Sequence, residues 1–282
     1  MILFFNEDGE VALSLNKLRP GYILRPRGKN NKIVYYLRCA ARYFVPSIWL
    51  RRHKAALLAS LDSRQDKEQI LDRVEYYNKL TGIRELSGQT YVRDITNRND
   101  VYNRDTFEFT RYFDRDLLLD THFGDWTELC DTPSIVKTRP LAGDNSNDVI
   151  LNLDKVRHFT FLKDKRSFDS KWDKAIFRGA AYQPHRKRFM QAFFGNPLVD
   201  CGDTAKRSFM EGRLQGGVHY IEIKDDYSDL EEKIRYYSTH PEEAKAIIRN
   251  AHAFVDQFRD KEREELISLL VLEKYFRHTR QS

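Results

Sequence analysis

A basic cluster in the last third of the chain has the residue types and spacing best suited to chemistry. Arg178 follows a short apolar run, and Gly179 beside it lets a ligand approach the backbone closely. Pro184 opens a helix whose first turns carry the basic residues His185, Arg186 and Arg188. The free N–H groups and the dipole of a helix start favour an anion there. The spacing is therefore typical of a phosphate or diphosphate site, although a solvated basic helix start would have the same pattern.

The elements that position this cluster follow the order of a parallel sheet. An apolar run at 175–177, a helix from 184 to 194 and a second apolar run at 198–201 predict a strand–loop–helix–strand unit. No GxxxxGK[ST] pattern occurs, so the loop is not a P-loop. Later segments predict a strand at 218–223 and a final helix at 261–277. Between them, two helices are expected to begin with capping boxes: one at Ser228–Glu231, ending near 237, and one at Thr239–Glu242, ending near 258.

The N-terminal half reads as helices followed by short strands. Residues 32–61 have helical periodicity interrupted by Pro46, a further helix is expected over 65–80, and 86–150 alternate strand-like runs with loops. The stretch 33–54 is basic and rich in aromatic residues. It could lie in the interface of an anionic membrane, or it could be an ordinary helix packed on its own domain.

Composition and charge narrow the class of protein. The 282 residues are 41% hydrophobic and 32% charged, which excludes a disordered chain. Lys+Arg 48 against Asp+Glu 42 gives a net charge of +6, which favours anionic partners. Nucleic acid is not expected, because the basic residues are interleaved with acids. Three widely spaced cysteines, no membrane-spanning run and no signal peptide predict a cytoplasmic protein, free or at the cytoplasmic face of the inner membrane.

Several separated motifs resemble glycosyltransferase family 90. Phe177-Arg178-Gly179, followed by Pro184 and Arg186, is similar to the FRG…P-x-R signature of that family. Four further segments resemble its bacterial branch, which includes the lipopolysaccharide core enzymes: 123–125, 133–140, 157–159 and 196–202. The resemblance covers roughly 32–207 and 209–260, with the motifs in the family's order.

This resemblance implies a fold and a reaction. The fold is an α/β GT-B-like architecture, with two Rossmann-like domains facing across a cleft. The reaction is an inverting, metal-independent transfer of a hexose from a UDP-sugar to the lipopolysaccharide core, with no cofactor besides the donor. The alternative is a non-catalytic nucleotide- or glycan-binding protein of the same fold. The corresponding domain division is an N-terminal arm (1–31), an acceptor-side domain (32–174), a nucleotide-sugar-binding domain (175–260) and a C-terminal helix (261–282).

The resemblance also assigns roles to residues. Asp125 matches the family's catalytic base; Asp120 is the fallback, and Asp125 could instead be a turn residue after Gly124. Lys137 and Arg139 line the cleft, where they could meet acceptor phosphates or pair with Asp125 and Asp131. No metal ligand is expected. The residues expected to bind the nucleotide sugar are Phe177, Arg178, Gly179, Ala180 and Arg186.

Two departures from the family pattern bear on the donor domain. Ala180 stands where the family often has a serine whose hydroxyl meets the donor phosphate. The interval from Asp203 to Val218 is too short for the βαβ connection expected there, which needs about 30 residues. The C-terminal domain is therefore expected to lack a segment near residue 207, either through a true deletion or because a segment is omitted from the chain.

Overall fold

The computed structural model describes residues 32–88, 90–98, 100–124, 126, 128–141, 143–156, 158, 166–179, 183–203 and 213–281. The predicted N-terminal arm, 1–31, lies outside these residues.

The described residues form an α/β structure in which helices flank short strands. The helices are α1 Lys32–Arg42, α2 Ser47–Ser60, α3 Lys67–Tyr77, α4 Val101–Thr110, α5 Pro184–Phe193, α6 Leu230–Thr239, α7 Pro241–Asp256 and α8 Lys261–His278. The strands are β1 Thr90–Tyr91, β2 Leu118–Leu119, β3 Thr121–His122, β4 Ser134–Val136, β5 Asp148–Ile150, β6 Ala175–Gly179 and β7 Val199–Asp203. The helix break at Pro46 confirms the prediction for 32–61, because proline disfavours a helical conformation in the residue before it.

Two sheets in the described part of the chain are parallel. Strands β3, β4 and β5 lie in that order, with Thr121 opposite Ile135 and Ile135 opposite Val149. Strands β6 and β7 pair in parallel, with Phe177 opposite Cys201. The short pair β1–β2 is antiparallel. The strand–loop–helix–strand prediction for 175–201 is therefore confirmed.

The larger apolar core surrounds the β3–β4–β5 sheet and includes the C-terminal helix. Strand residues Ile135 and Val149 are fully buried, together with Ile70 of α3. Helix α8 packs against α2, α3 and α4 and contributes Leu266, Leu269 and Leu272 to the same core. The helix at the end of the chain thus belongs structurally to the half of the molecule that begins at α1.

The smaller core lies under the β6–β7 pair. Its buried members among the described residues are Phe189, Phe193, Val199 and Leu230. The Phe189 ring lies 5.1 Å from that of Phe177 and 5.0 Å from that of Tyr227, so aromatic contacts hold α5 on the strands and on the segment before α6.

The predicted strand at 218–223 is wrong. Residues Val218 and His219 lie in a turn, where their N–H groups donate to the Gln215 carbonyl, and only an isolated bridge joins Gly216 to Tyr220. Gly217 has φ +75°, which favours glycine and starts the turn. The alternating apolar pattern therefore has no neighbouring strand to pair with among the described residues.

The predicted capping boxes are also wrong, although both helices are present. Helix α6 begins after Asp229 and α7 after His240, and neither residue caps its helix with a side-chain hydrogen bond. Asp229 instead accepts a hydrogen bond from the Lys224 N–H at 2.9 Å. The Thr239 hydroxyl donates backwards, to the Tyr236 carbonyl at 2.9 Å. These polar side chains close the preceding turns rather than open the following helices.

Within the part of the chain that the structure describes, no helix is both long and apolar enough to cross a bilayer.

Candidate active site

Three chain segments leave the carboxyl edge of the β3–β4–β5 sheet side by side. Because the strands are parallel, the residues that follow each of them meet at one edge, where α/β proteins bind ligands. Phe123 and Gly124 follow β3, Lys137 follows β4, and Asn152 follows β5. Gly124 has φ +105°, so the chain turns there in a conformation that other residues rarely adopt.

Two buried polar atoms at this edge lack hydrogen-bond partners among the described residues. They are the indole Nε1 of Trp126 and the side-chain Oδ1 of Asn152. The amide of Asn152 is oriented by its other end, where Nδ2 donates to Glu264 Oε2 at 3.2 Å. A buried donor and a buried acceptor without partners are costly, and such groups are common where a ligand or water completes the hydrogen bonds.

Asn152 was not singled out from the sequence. A signal for it exists, because a polar residue directly after the apolar run Val149-Ile150-Leu151 sits where a strand ends. Trp126 packs against the larger core, with its ring centroid 4.5 Å from that of His122. Trp172, by contrast, is 85% exposed.

Asp125, the expected base, lies outside the described residues. Its chain neighbours Gly124 and Trp126 place this position just after β3. The fallback, Asp120, is held by the fold: its Oδ2 accepts hydrogen bonds from Ser87 Oγ and from the Gly88 N–H, both at 2.8 Å. Asp120 precedes β3, so these bonds hold its carboxylate near the amino end of that strand. The geometry thus disfavours Asp120 as a base.

Lys137 and Arg139 follow the same strand and have different surroundings. Lys137 is buried at the sheet edge, with 5% exposure. Arg139 donates to two main-chain carbonyls, those of Asp148 at 3.2 Å and of Tyr76, and its guanidinium lies 5.0 Å from the Tyr76 ring. Burial lowers the pKa of Arg139. The contacts of Arg139 hold α3 to β5, which neither expected role for this residue included.

The basic cluster after β6 has the predicted backbone arrangement. Arg178 and Gly179 are the last two residues of β6, and Arg186 is half-buried in the first turn of α5. That turn contains no acidic residue and begins with proline at its first or second position. Phe177 packs its ring into the smaller core, so its side chain supports the loop from below. Ala180 and the side chains of Arg178 and Gly179 lie outside what the structure describes.

The fold and this edge define a class: an α/β protein with parallel strands whose polar residues gather at the carboxyl ends. Comparison with known proteins narrows the class to a family. The model of glycosyl transferase family 90 matches residues 193–275. O-glucosyltransferase LpsA of Dichelobacter nodosus is 32% identical over 303 residues, covering 87% of this chain and 95% of that protein. The chain therefore belongs to glycosyltransferase family 90 and is a glycosyltransferase.

Two details of the comparisons bear on the donor side. The family match starts at Phe193, so the Phe177–Arg186 signature lies before it. The alignment with LpsA spans 303 positions, which is more than the 282 residues of this chain. It therefore includes residues of LpsA that have no counterpart in this chain. No solved structure matches the chain.

Proposed function

We propose that the protein transfers a hexose from a UDP-sugar to the core of a bacterial lipopolysaccharide, with inversion at the anomeric carbon and without a metal. The observation that carries this proposal is the convergence of three parallel strand ends on one edge of the sheet. Two buried hydrogen-bonding atoms there, Trp126 Nε1 and Asn152 Oδ1, have no partner among the described residues. The glucosyltransferase activity in the name of the 32% identical relative supports a hexose.

The donor site in this proposal is the loop between β6 and α5. Without a metal, the leaving UDP has to be neutralised by cations and backbone N–H groups, which are more effective in a preorganised site than in water. Arg178 at the strand end and Arg186 in the first helical turn supply the charge, and the start of α5 supplies N–H groups. We place this site opposite the β3–β4–β5 edge, in a GT-B-like arrangement of two domains across a cleft.

Asp125 is the base in the proposed reaction. Inversion needs one group to take the proton of the acceptor hydroxyl as its oxygen attacks the anomeric carbon. In the sequence Asp125 follows β3, and the edge at which that strand ends also carries Lys137. Lys137 contributes positive charge on the acceptor side, where the phosphates of a lipopolysaccharide core would bind. We propose contact with an anionic membrane through residues 33–54, because the acceptor is a membrane lipid.

The test is UDP release from a panel of UDP-sugars, with a lipopolysaccharide core acceptor present. One donor is expected to be hydrolysed or transferred far faster than the rest, and the same donor is expected to raise the melting temperature by mass action. Asp125→Asn should reduce transfer by a factor of at least about 100, as loss of a general base does, while UDP binding is retained. Asp120→Asn is the matched control; it weakens the hydrogen bonds from Ser87 and Gly88, because the amide has one acceptor oxygen and no charge, and it should lower stability more than the rate in the remaining folded protein.

A non-catalytic binding protein is the second candidate, and Ala180 and the short 203–218 interval favour it. Stabilisation by UDP without any release from UDP-sugars would establish this alternative. No stabilisation by UDP or any UDP-sugar would contradict both candidates.

A further inference from the structure

The first two helices turn a hydrophobic surface towards solvent. Apolar residues at three- to four-residue spacing normally face a core. Here they are exposed: Leu37 by 65%, Phe44 by 85% and Trp49 by 65%. Such a concentration of large exposed apolar side chains is typical of an interaction surface. We call it the α1–α2 surface, and it comprises Ile33, Val34, Tyr36, Leu37, Tyr43, Phe44, Val45, Ile48 and Trp49 with the flanking Arg38, Arg51 and Arg52.

The opposite side of α1 holds the helix to the protein through polar contacts. The Tyr35 hydroxyl donates to Asp105 Oδ1 at 2.8 Å, and Arg42 pairs with Glu108 at 2.7 Å. Both partners lie on α4. Tyr36 and Tyr43 add ring contacts to α4, with Arg104 at 5.3 Å and Phe107 at 4.7 Å. Leu37 and Phe44 remain largely exposed.

Helix α2 is attached in a similar way. Leu50 and Leu57 are buried in the larger core, and Lys54 pairs with Glu273 of α8 at 2.6 Å. Ile48 and Trp49, in its first turn, point away from these contacts and are 53% and 65% exposed. Both helices thus present a firmly held surface rather than a loose end.

The charge of this segment selects the partner. Residues 32–61 contain six lysines and arginines and no acidic residue. Of these cations, Arg42 and Lys54 are paired with carboxylates of α4 and α8, and Arg51 lies 3.9 Å from the exposed carboxylate of Asp114. Arg38, Arg51 and Arg52 are exposed beside the apolar residues. Two copies of this surface would repel each other, whereas an anionic lipid surface attracts it. Aromatic and aliphatic side chains bordered by arginines fit the boundary between headgroups and acyl chains.

We propose that the α1–α2 surface docks the protein on an anionic bilayer, with Leu37, Phe44 and Trp49 at the acyl boundary. Arg38, Arg51 and Arg52 then contact lipid phosphates. This proposal names the residues that make the membrane contact included in the proposed function. Its biological role rests on that function, but lipid binding itself requires no sugar transfer.

Docking would hold the sheet edge close to its acceptor. The α4 carboxylates that anchor α1 also bind Lys155: its backbone N–H donates to Asp105 and its ammonium to Glu108, each at 2.8 Å. Lys155 lies five residues after the end of β5, on the segment that leaves the sheet through Asn152. These hydrogen bonds and ion pairs therefore connect α1, through α4, to the segment that carries Asn152.

The test is flotation of the full chain with vesicles of phosphatidylglycerol and phosphatidylcholine, against pure phosphatidylcholine vesicles. We expect binding to the anionic vesicles, weakened at high salt because the Debye length shortens. Phe44→Ser/Trp49→Ser should lose most of this binding. The matched control is Phe194→Ser/Trp172→Ser, which removes the same residue types from other exposed positions, 76% and 85%, elsewhere on the chain. This control should bind as the parent does.

A second pair of variants separates charge from apolar contact. Arg51→Ser/Arg52→Ser should weaken binding to anionic vesicles about 25-fold, at about five-fold per cation. The control Arg249→Ser/Lys261→Ser removes two exposed cations from α7 and α8 and should change nothing. Circular dichroism confirms that each variant is folded.

Four outcomes would overturn the proposal: no binding of the parent to anionic vesicles, equal binding to neutral vesicles, equal loss in the controls, or a parent dimer that Phe44→Ser/Trp49→Ser dissociates. The last would identify a second copy as the partner. Failure of the proposed function is separate: vesicle binding without use of any UDP-sugar leaves the docking surface in place. Transfer to a lipid-free core oligosaccharide should be unchanged in the docking variants.

Discussion

Charged side chains around the β3–β4–β5 sheet divide into those that the fold uses and those left for a substrate. Arg139 and Asp120 belong to the first group, because backbone and side-chain hydrogen bonds occupy them. Their chemistry alone made them look like candidates for binding and proton transfer. A sequence shows the residue type but not the competing partners, which the tertiary fold supplies.

Replacing Arg139 should affect stability before it affects catalysis. Arg139→Met removes the charged donor to the Asp148 and Tyr76 carbonyls and leaves both without this partner. We expect the free energy of unfolding to fall by about 2–4 kcal/mol. Urea denaturation measures it, with exposed Arg84→Met as the control, expected within about 0.5 kcal/mol of the parent. A raised KM for the acceptor at unchanged stability would instead assign Arg139 to substrate binding.

Asp105 should give the protein a measurable pH dependence of stability. Burial raises its pKa from 3.8 to about 6, so the native state holds the proton more tightly than the unfolded state. Stability from this group is complete below the unfolded pKa and is lost as the pH rises through the native value. The loss amounts to about 3 kcal/mol, at about 1.4 kcal/mol for each pKa unit.

The variant Asp105→Asn isolates this titration. Asparagine can still accept from the Lys155 N–H and can donate to the Tyr35 hydroxyl, but it does not ionise. The stability of the parent minus that of the variant should therefore decrease between about pH 4 and about pH 7, by the amount given above. Denaturation curves across this range measure it. A constant difference would show that Asp105 has an ordinary pKa.

At the level of elements, the sequence predicted helices and strands correctly where local residues determine them. Pro46 ends α1 and precedes α2, Pro184 opens α5, and the apolar runs at 175–177 and 198–201 form parallel strands. The segment 218–223 has an equally strand-like pattern and forms a turn, because a strand also needs a neighbour with which to pair. The site follows the same rule: strand ends could be predicted, but not which of them share an edge.

The position of α8 gives a prediction of its own. Leu272 is fully buried between α8 and the larger core, so Leu272→Ala should lower the free energy of unfolding by about 2–5 kcal/mol. Arg277→Ala, exposed on the same helix, should stay within about 0.5 kcal/mol of the parent. Hydrogen exchange should show faster opening around β4 and β5 in Leu272→Ala. Faster opening confined to 175–203 would place α8 with the other core.

At the scale of the molecule, the described residues form two cores of unequal size, and polar contacts lie between other segments of the chain. Arg213 pairs with Asp72 at 2.5 Å and lies 4.5 Å from the Tyr76 ring, and Lys245 pairs with Asp169 at 2.9 Å. Arg213 lies within the interval 203–218, which is shorter than a βαβ connection requires. From the sequence, only the shortness of this interval could be recognised. Next to the smaller core, the junction thus has contacts that are partly open to solvent.

This inequality predicts two levels of local stability. Amides of 175–203 should exchange with solvent faster than those of β4, β5 and α8, because the smaller core has few buried members, namely Phe189, Phe193, Val199 and Leu230. UDP should slow exchange at 175–203 by stabilising the folded form of its own site, while β4 and β5 are unaffected. Adenosine diphosphate at the same concentration is the matched control for charge without the uracil base. Hydrogen exchange read by mass spectrometry resolves these segments. Uniform exchange would contradict the two-core description, and slowing at β4 and β5 instead would move the nucleotide to the opposite sheet edge.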